Sequence, residues 1–449
     1  MYKYMPGFLQ DLAVSFKGWD ISRHRYGREF QDAYAGYLER GSWPEEKIQE
    51  FREKQKSSAL QRAAKTPFYS AFFEKMGGAW QDFVDESAFR ELPVIKKGDI
   101  QADIDLFRPR APLPTDGKIM TSGTTGTSLT LPVSRNVEPD QWAVWWRYRG
   151  WHGIRRGERC GLFASAPVVL GTDADRPYRL NWAGNEVRFS IFHISRRSAP
   201  KYVESINRHR PSWVHGNPTA IAVLSRYMIE DRLSLDYKIK VLTVGSENLL
   251  PWQRDAIVAA FGVPPRQHYG LAEAVANFSE CEHGRLHVDE DFSYVEFLAE
   301  TGLESCRIVG SAFSNTAVSL LRYDAGDLGR VARESCSCGR WGRIVERLDG
   351  RLTDYVVLPS GARVASLAAP FHGTEGLFAA QLYQGKDGAL TVRYVPGKGW
   401  RNESLAGLEA RLRTRVGEEI PISFLEVAEL GLTSRGKTKL VVSDYQPGL

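Results

Sequence analysis

The residues with the most chemistry to offer sit in a short run, Met120-Thr-Ser-Gly-Thr-Thr-Gly-Thr-Ser128. Hydroxyls at Thr121, Ser122, Thr124 and Thr125 surround two glycines, Gly123 and Gly126, and Thr127 and Ser128 extend the run. Glycine lets backbone N–H groups approach a ligand, and hydroxyls add movable donors, a combination suited to the oxygens of a nucleotide phosphate. Gly126 is followed by Thr127 and not by a lysine, which excludes a kinase-type phosphate loop. Four further segments can serve the same ligand. Gly245-Ser-Glu-Asn248 follows an apolar strand, where open α/β sheets place ligand contacts, and supplies Glu247. His268-Tyr-Gly-Leu-Ala-Glu273 gathers a ring, a permissive glycine and a carboxylate in one short loop. Tyr269 beside Gly270 can stack on a purine, and Glu273 can hold Mg²⁺ through shared phosphate oxygens. Arg322-Tyr-Asp-Ala-Gly-Asp327 is expected to end a strand with a carboxylate that can accept from ribose hydroxyls. Ser434-Arg-Gly-Lys-Thr-Lys439 is a basic glycine loop whose lysine can meet developing negative charge.

A second constellation is made of soft ligands. Cys281 opens Cys-Glu-His-Gly-Arg-Leu-His287, and Cys336-Ser-Cys338 follows. Cys281, Cys336 and Cys338 with one histidine form a set typical of structural zinc. His287, in an expected strand, is the preferred fourth ligand, with His283 in the turn as the alternative. Reduced, unconnected thiols are the plain alternative for the whole set. Cys160 and Cys306 read as core residues.

The elements that must position these groups change along the chain. Residues 1 to about 90 read as helical, with the aromatic cluster Thr66-Pro-Phe-Tyr-Ser-Ala-Phe-Phe73 in the core. The helix from Gln141 to Trp151 carries four tryptophans, for which core packing is the simplest use. Apolar strands at 159–164, 213–216 and 241–244 alternate with helices at 199–208, 219–231 and 251–261, the pattern of parallel βαβ units. From about 285 a more antiparallel sheet or small barrel is expected, with strands near 286–288, 293–298, 306–309 and 319–323. After Gly350 a smaller α+β unit follows. The fold class is therefore α/β, with a large domain over 1–350 and a small C-terminal domain over 351–449. Within the large domain lie the helical start at about 1–90 and a zinc-linked β region at about 281–350.

The chain has 449 residues, a net charge of +5, 43% hydrophobic and 25% charged residues. Interspersed charges give no nucleic-acid footprint. No signal peptide or membrane-length apolar run is read, and five cysteines are no disulfide framework, so a cytoplasmic location is expected.

Taken in order, Thr121-Ser-Gly-Thr-Thr-Gly126, Tyr269-Gly-Leu-Ala-Glu273, Tyr323-Asp-Ala-Gly-Asp327, Gly350-Arg351 and Gly436-Lys437 resemble the adenylate-forming superfamily of the acyl-CoA synthetase type. The phenylacetate–CoA ligase-like branch, with relatives in capsular polysaccharide biosynthesis, is the nearest in pattern. Ala63-Ala-Lys-Thr-Pro-Phe-Tyr69 and Leu92-Pro-Val-Ile-Lys96 match that branch. The resemblance implies that ATP and a carboxylic acid, with aryl acids among the candidates, form an acyl-adenylate and pyrophosphate. The acyl group then passes to a thiol such as coenzyme A; amide formation on an amine or ligation to a carrier protein is the alternative, and a degenerate nucleotide-binding switch the second. It also implies a mobile C-terminal lid, a phosphate-holding role for Thr121–Gly126, adenine stacking on Tyr269, Mg²⁺ at Glu273 and ribose at Asp327. Lys437 would bridge carboxylate and phosphate, and Arg351 would precede the hinge. Some members of the branch carry a metal near the cysteines. Thr353 stands where relatives have a pivot acid, with Asp354 beside it. Trp142, Trp146, His215, Asn217 and Pro218 are the acyl-pocket candidates, and the oligomeric state, a homodimer included, is left open.

Overall fold

In the computed structural model the described residues are all but 1, 3–4, 110–116, 121–128, 165, 171–175, 301–302, 352–354, 359–362, 365–366, 368, 372–373, 398, 432–437 and 446–449. The chain forms two compact units that interleave in sequence: Met1–Ser22, Ile154–Gln267 and Asp349–Leu449 make one, Arg23–Gly153 and His268–Leu348 the other.

In the first unit, strands Cys160–Ala164, Trp213–Gly216, Val241–Val244 and the start of Pro265–Gly270 run parallel in the order expected of βαβ units. Helices Ala199–His209, Pro218–Glu230 and Pro251–Phe261 connect them. Proline sits in the first turn of each, where its missing N–H costs nothing. Gly262, at φ 72°, ends the last helix in the left-handed conformation. Two strands unread in the sequence, Tyr178–Asn181 and Glu186–Ser190, extend this sheet. Both alternate apolar and polar residues, but over only four or five positions. The core is aromatic and aliphatic: Phe163, Phe189, Tyr202, Ile206, Val214, Leu242 and Ile257 are buried together.

The N-terminal helix, Gly7–Arg25, meets this unit through its polar side. Asp11 pairs with Arg176 at 2.7 Å and accepts the Leu180 N–H. Gln10 Oε1 accepts from Arg179 Nε at 2.6 Å, Ser15 Oγ donates to the Leu180 carbonyl, and buried Gly18 lies against Asn181. The C-terminal segment has its own four-stranded sheet, in the order Ile422–Glu426, Leu390–Pro396, Leu377–Gln384, Val441–Ser443. The helix Glu403–Val416 packs Leu408, Leu412 and Val416 into its core.

In the second unit the helices Arg28–Arg40, Glu45–Ala63 and Pro67–Lys75 follow the expected helical start. Tyr69 and Phe73 are buried with Leu92, Ile95 and Phe107. Strands Ser293–Ala299, Cys306–Ala312 and Tyr323–Val331 pair antiparallel, as do Asn277–Glu280 and Leu286–Val288. The strand expected at 319–323 is displaced: Ser319–Leu321 are buried but outside any strand, and pairing begins at Tyr323. Arg322, at φ 50°, turns the backbone there. Its guanidinium binds Glu296 at 3.0 Å and the carbonyls of Arg90 and Leu92. Tyr323–Asp327 thus opens a strand instead of ending one.

The helix Val137–Trp151 is fixed by a buried ion cluster. Arg147 is 1% exposed and binds Asp291 at 2.8 and 2.9 Å and Asp289 at 2.7 Å. Burial works against its charge, and the two aspartates outweigh that cost, so it stays ionised. Among the described residues no helix is long and apolar enough to cross a membrane. Removing one partner of a buried ion pair strands the others, at about 3–5 kcal/mol. Arg147→Met is therefore expected to lower the unfolding free energy by about that amount. A urea midpoint equal to that of the parent protein would contradict the assignment.

Candidate functional site

In the second unit, Tyr269 and Asp327 come together although 58 residues separate them. Tyr269 lies near the end of strand Pro265–Gly270, not in a loop, and its O–H donates to Asp327 Oδ2 at 2.7 Å. Phe278, opposite it on the antiparallel neighbour, backs the ring at 4.7 Å and 23°. On the Asp327 side, Asp324 accepts the Gly326 N–H at 2.9 Å, and Gly326 takes φ 72°. Asp324 is tied in turn to Arg307 at 2.6 Å. Glu273 is buried, with the Tyr323 O–H donating to its Oε1 at 3.4 Å. The purine-stacking ring, the ribose acid and the magnesium carboxylate of the sequence reading are thus held in one region by hydrogen bonds from tyrosines.

Three supporting residues escaped the sequence reading. Gly310 is required because a Cβ there would stand 2.0 Å from the Val275 carbonyl oxygen, which lets the chain after Glu273 lie directly on strand Cys306–Ala312. Asn277, opposite Gly270, takes the Trp145 Nε1–H at 2.8 Å. Trp145 also faces His268, ring centroids 5.2 Å apart. Of its neighbours named as acyl-pocket candidates, Trp142 packs edge-on against Trp145, ring centroids 5.1 Å apart, and Trp146 lies on another side of the helix. Trp146 donates to the Tyr26 hydroxyl at 3.2 Å, and Trp142 carries the Arg25 guanidinium 3.8 Å over its ring. A helix turn of about 100° per residue separates Trp146 from Trp145, whereas Trp142, three residues earlier, shares the Trp145 face.

In the first unit, Glu247, His215, Asn217 and Pro218 gather at the C-terminal ends of two adjacent parallel strands, the usual ligand position of an open α/β sheet. Asn217 Nδ2 donates to Glu247 Oε1 at 3.2 Å and Thr219 Oγ1 to Oε2 at 2.5 Å. His215 Nδ1 meets Thr243 Oγ1 at 2.9 Å. Ser246, at φ 69°, sets the turn that presents Glu247. Thr121, Ser122, Gly123, Thr124, Thr125, Gly126 and Lys437 lie outside the described residues, as do Thr353 and Asp354. Arg351 closes the strand Ile344–Arg351, and its side chain lies outside them too.

The soft-ligand set converges. One ligand atom from each of Cys281, His287, Cys336 and Cys338 lies within 4.8 Å of the others. Cys281 Sγ is 3.7 Å from Cys336 Sγ, and Cys338 Sγ is 3.3 Å from His287 Nε2. Ligands at zinc bond lengths stand about 3.5–3.8 Å apart around a tetrahedron. A disulfide would need about 2.0 Å, and all five cysteines are free. His287 Nδ1 meets the Trp341 carbonyl at 3.1 Å, so it carries the proton and leaves Nε2 for a metal. His283 binds Ser337 Oγ and is outside the group.

No protein-family model matches the chain. The architecture is that of adenylate-forming acyl-CoA ligases. The crystal structure of a 2-hydroxyisobutyryl-CoA ligase, in its postadenylation state with an acyl-AMP, superposes with a TM-score of 0.64 over 88% of this chain and 89% of that one, at 16% identity. By sequence the chain is similar to Protein CapK of Staphylococcus aureus, 21% identical over 99% of both chains. It is also similar to the phenylacetate-coenzyme A ligase of Thermus thermophilus, 25% identical over 73% of this chain and 77% of that one.

The four-ligand geometry carries its own expectation. Purified protein is expected to hold one zinc per chain by elemental analysis, and Cys338→Ser to lose most of it. Chelation should lower the melting temperature, because a structural metal is linked to folding. Metal-free protein with an unchanged melting curve would remove the site.

Proposed function

We propose that the chain is an ATP-dependent, AMP-forming acid ligase. The observation that carries this reading is the 2.7 Å hydrogen bond joining Tyr269 to Asp327, within a fold shared with ligases that form acyl-adenylates. A carboxylate oxygen attacks the α-phosphorus of ATP, the bond to the bridging oxygen breaks, and pyrophosphate leaves. The acceptor sulfur, deprotonated, then attacks the acyl carbon and AMP departs with the bonding pair. Coenzyme A is the acceptor suggested by the names of the relatives; an amine or a carrier protein is the alternative.

In this reading Tyr269 offers a ring backed by Phe278 for adenine, and Asp327 accepts from ribose while the Tyr269 O–H fixes its orientation. A single buried carboxylate at Glu273 suits Mg²⁺, which takes one or two protein ligands and completes its shell with phosphate oxygens and water. The Thr121–Gly126 run would hold the β- and γ-phosphates and Lys437 the charge that develops at the α-phosphate. The zinc set has no open coordination position when all four ligands bind, so its role is structural. The active protein is read as cytoplasmic.

Acid-dependent pyrophosphate release, screened over aliphatic and aryl acids with and without coenzyme A, tests the activity; hydroxylamine as acceptor reports the adenylate itself. Lys437→Ala is expected to slow ATP–pyrophosphate exchange by about a hundredfold or more, the scale of losing one preorganised charge at a transition state. Exchange at the parental rate would take Lys437 out of the mechanism, and no acid-dependent release with any acid would overturn the ligase reading.

A further inference from the structure

The N-terminal helix turns the ordinary arrangement of a surface helix inside out. Its polar residues Gln10, Asp11 and Ser15 are engaged by Arg179, Arg176 and the backbone of 180–182. Its large apolar residues face outward: Phe8 is 60% exposed, Leu12 48%, Phe16 71% and Trp19 50%. Spacings of four, four and three place these four on one face of the helix. The Phe16 and Trp19 rings touch, with centroids 6.0 Å apart, so the stripe is continuous. Trp182, whose backbone N–H is bound to Ser15 Oγ, is exposed as well.

Scattered exposed apolar residues need no explanation, but a continuous stripe does. Ordinary helix packing would bury Phe8, Leu12 and Phe16 and leave Gln10 and Asp11 to water. Here the polar face is satisfied within the protein, so the apolar face is displayed. We propose that this stripe seats the protein on an anionic lipid surface, with the helix lying in the plane of the headgroups.

Three observations select that occupant. The first is composition: Phe, Leu and Trp on the apolar side are the residues with which interfacial helices enter the headgroup boundary. The second is charge. Both carboxylates of the helix are neutralised, Asp11 by Arg176 and Asp20 by Lys17 at 2.8 Å. In the last turn Arg25 is taken up by Glu138 at 2.7 Å, and exposed Arg23 continues the line of Trp19 one turn on. Anionic headgroups complement that end. The third is area. The four side chains offer roughly 500–600 Å², judged from ordinary side-chain sizes, whereas a stable interface with a second copy needs about 800 Å² per partner. A lipid surface sets no such threshold.

The test uses the full chain and co-sedimentation with vesicles of phosphatidylcholine alone or with about a third phosphatidylglycerol, at salt near 0.1 M, where exposed charges are only partly screened. The parent protein is expected to pellet with the anionic vesicles, and Phe16→Glu with Trp19→Glu to reduce the bound fraction at least tenfold. Arg23→Glu should weaken binding to the anionic vesicles only. Both sets of substitutions fall on exposed positions, and a thermal melt matching the parent shows that the fold is kept. Three outcomes overturn the proposal: a parent protein that stays in the supernatant, a Phe16/Trp19 variant that pellets like the parent, or a parent dimer by light scattering that the same variant converts to monomer. The last would assign the stripe to a second copy.

Discussion

The second unit depends on one buried cation. Arg147 binds Asp289 and Asp291, and Asp289 Oδ2 also accepts from Asn277 Nδ2 at 2.6 Å and Ser279 Oγ at 2.7 Å. Those two residues belong to the strand that pairs with the end of Pro265–Gly270, so the charge cluster and the Tyr269 ladder share a wall. Trp145, two residues before Arg147 on the same helix, closes the loop by donating to Asn277. Helix, strand and acidic turn therefore have one mutually consistent register. Apolar packing, which is non-directional, would not fix the rotation of the helix so narrowly.

The cysteine–histidine group acts on the same strands from the other end. Cys281 directly follows strand Asn277–Glu280, and His287 lies in its antiparallel partner, opposite Ser279. A metal held there would clamp the hairpin whose Phe278 backs Tyr269. Trp341 joins the two systems: its carbonyl meets His287, and its ring lies under the Arg147 guanidinium at 5.2 Å. A metal held there would, together with the buried ion cluster, support one ring from two sides.

The parallel strands and helices of the first unit were legible because continuous apolar runs and prolines at helix starts have local causes. The side-chain types at Tyr269, Glu273 and Asp327 stood out as well, although the structure sets Tyr269 and Asp327 within strands where the sequence suggested a loop and a strand end. Less legible were the places where distant residues decide. Strands Tyr178–Asn181 and Glu186–Ser190 carry charges that only their partners explain: Arg179 exists for Gln10, and Asn181 Nδ2 donates to Glu186 at 2.7 Å. The start of the Tyr323 strand was misplaced because Arg322 adopts a left-handed backbone that its bonds to Glu296 and two distant carbonyls impose. Gly310 looked like any strand glycine until Val275 was found against it. Trp142, Trp145 and Trp146 are chemically alike, and only the rotation of their helix sets Trp146 apart from the other two.

The first unit is assembled from three stretches of chain, and this orders events during synthesis. The helix Gly7–Arg25 is made before the strands it docks on, and the arginine that pairs with Asp11 comes 165 residues later. Until Arg176 and Tyr178–Asn181 emerge, the helix has no docking surface for its polar side, and its aromatic stripe is displayed on a tethered, unfinished chain. Contacts of such sequence separation form late and lengthen the exposure of partly folded species. The apolar stripe is thus displayed before the residues that hold its helix in place have been made, for an interval set by the 165 residues between Asp11 and Arg176.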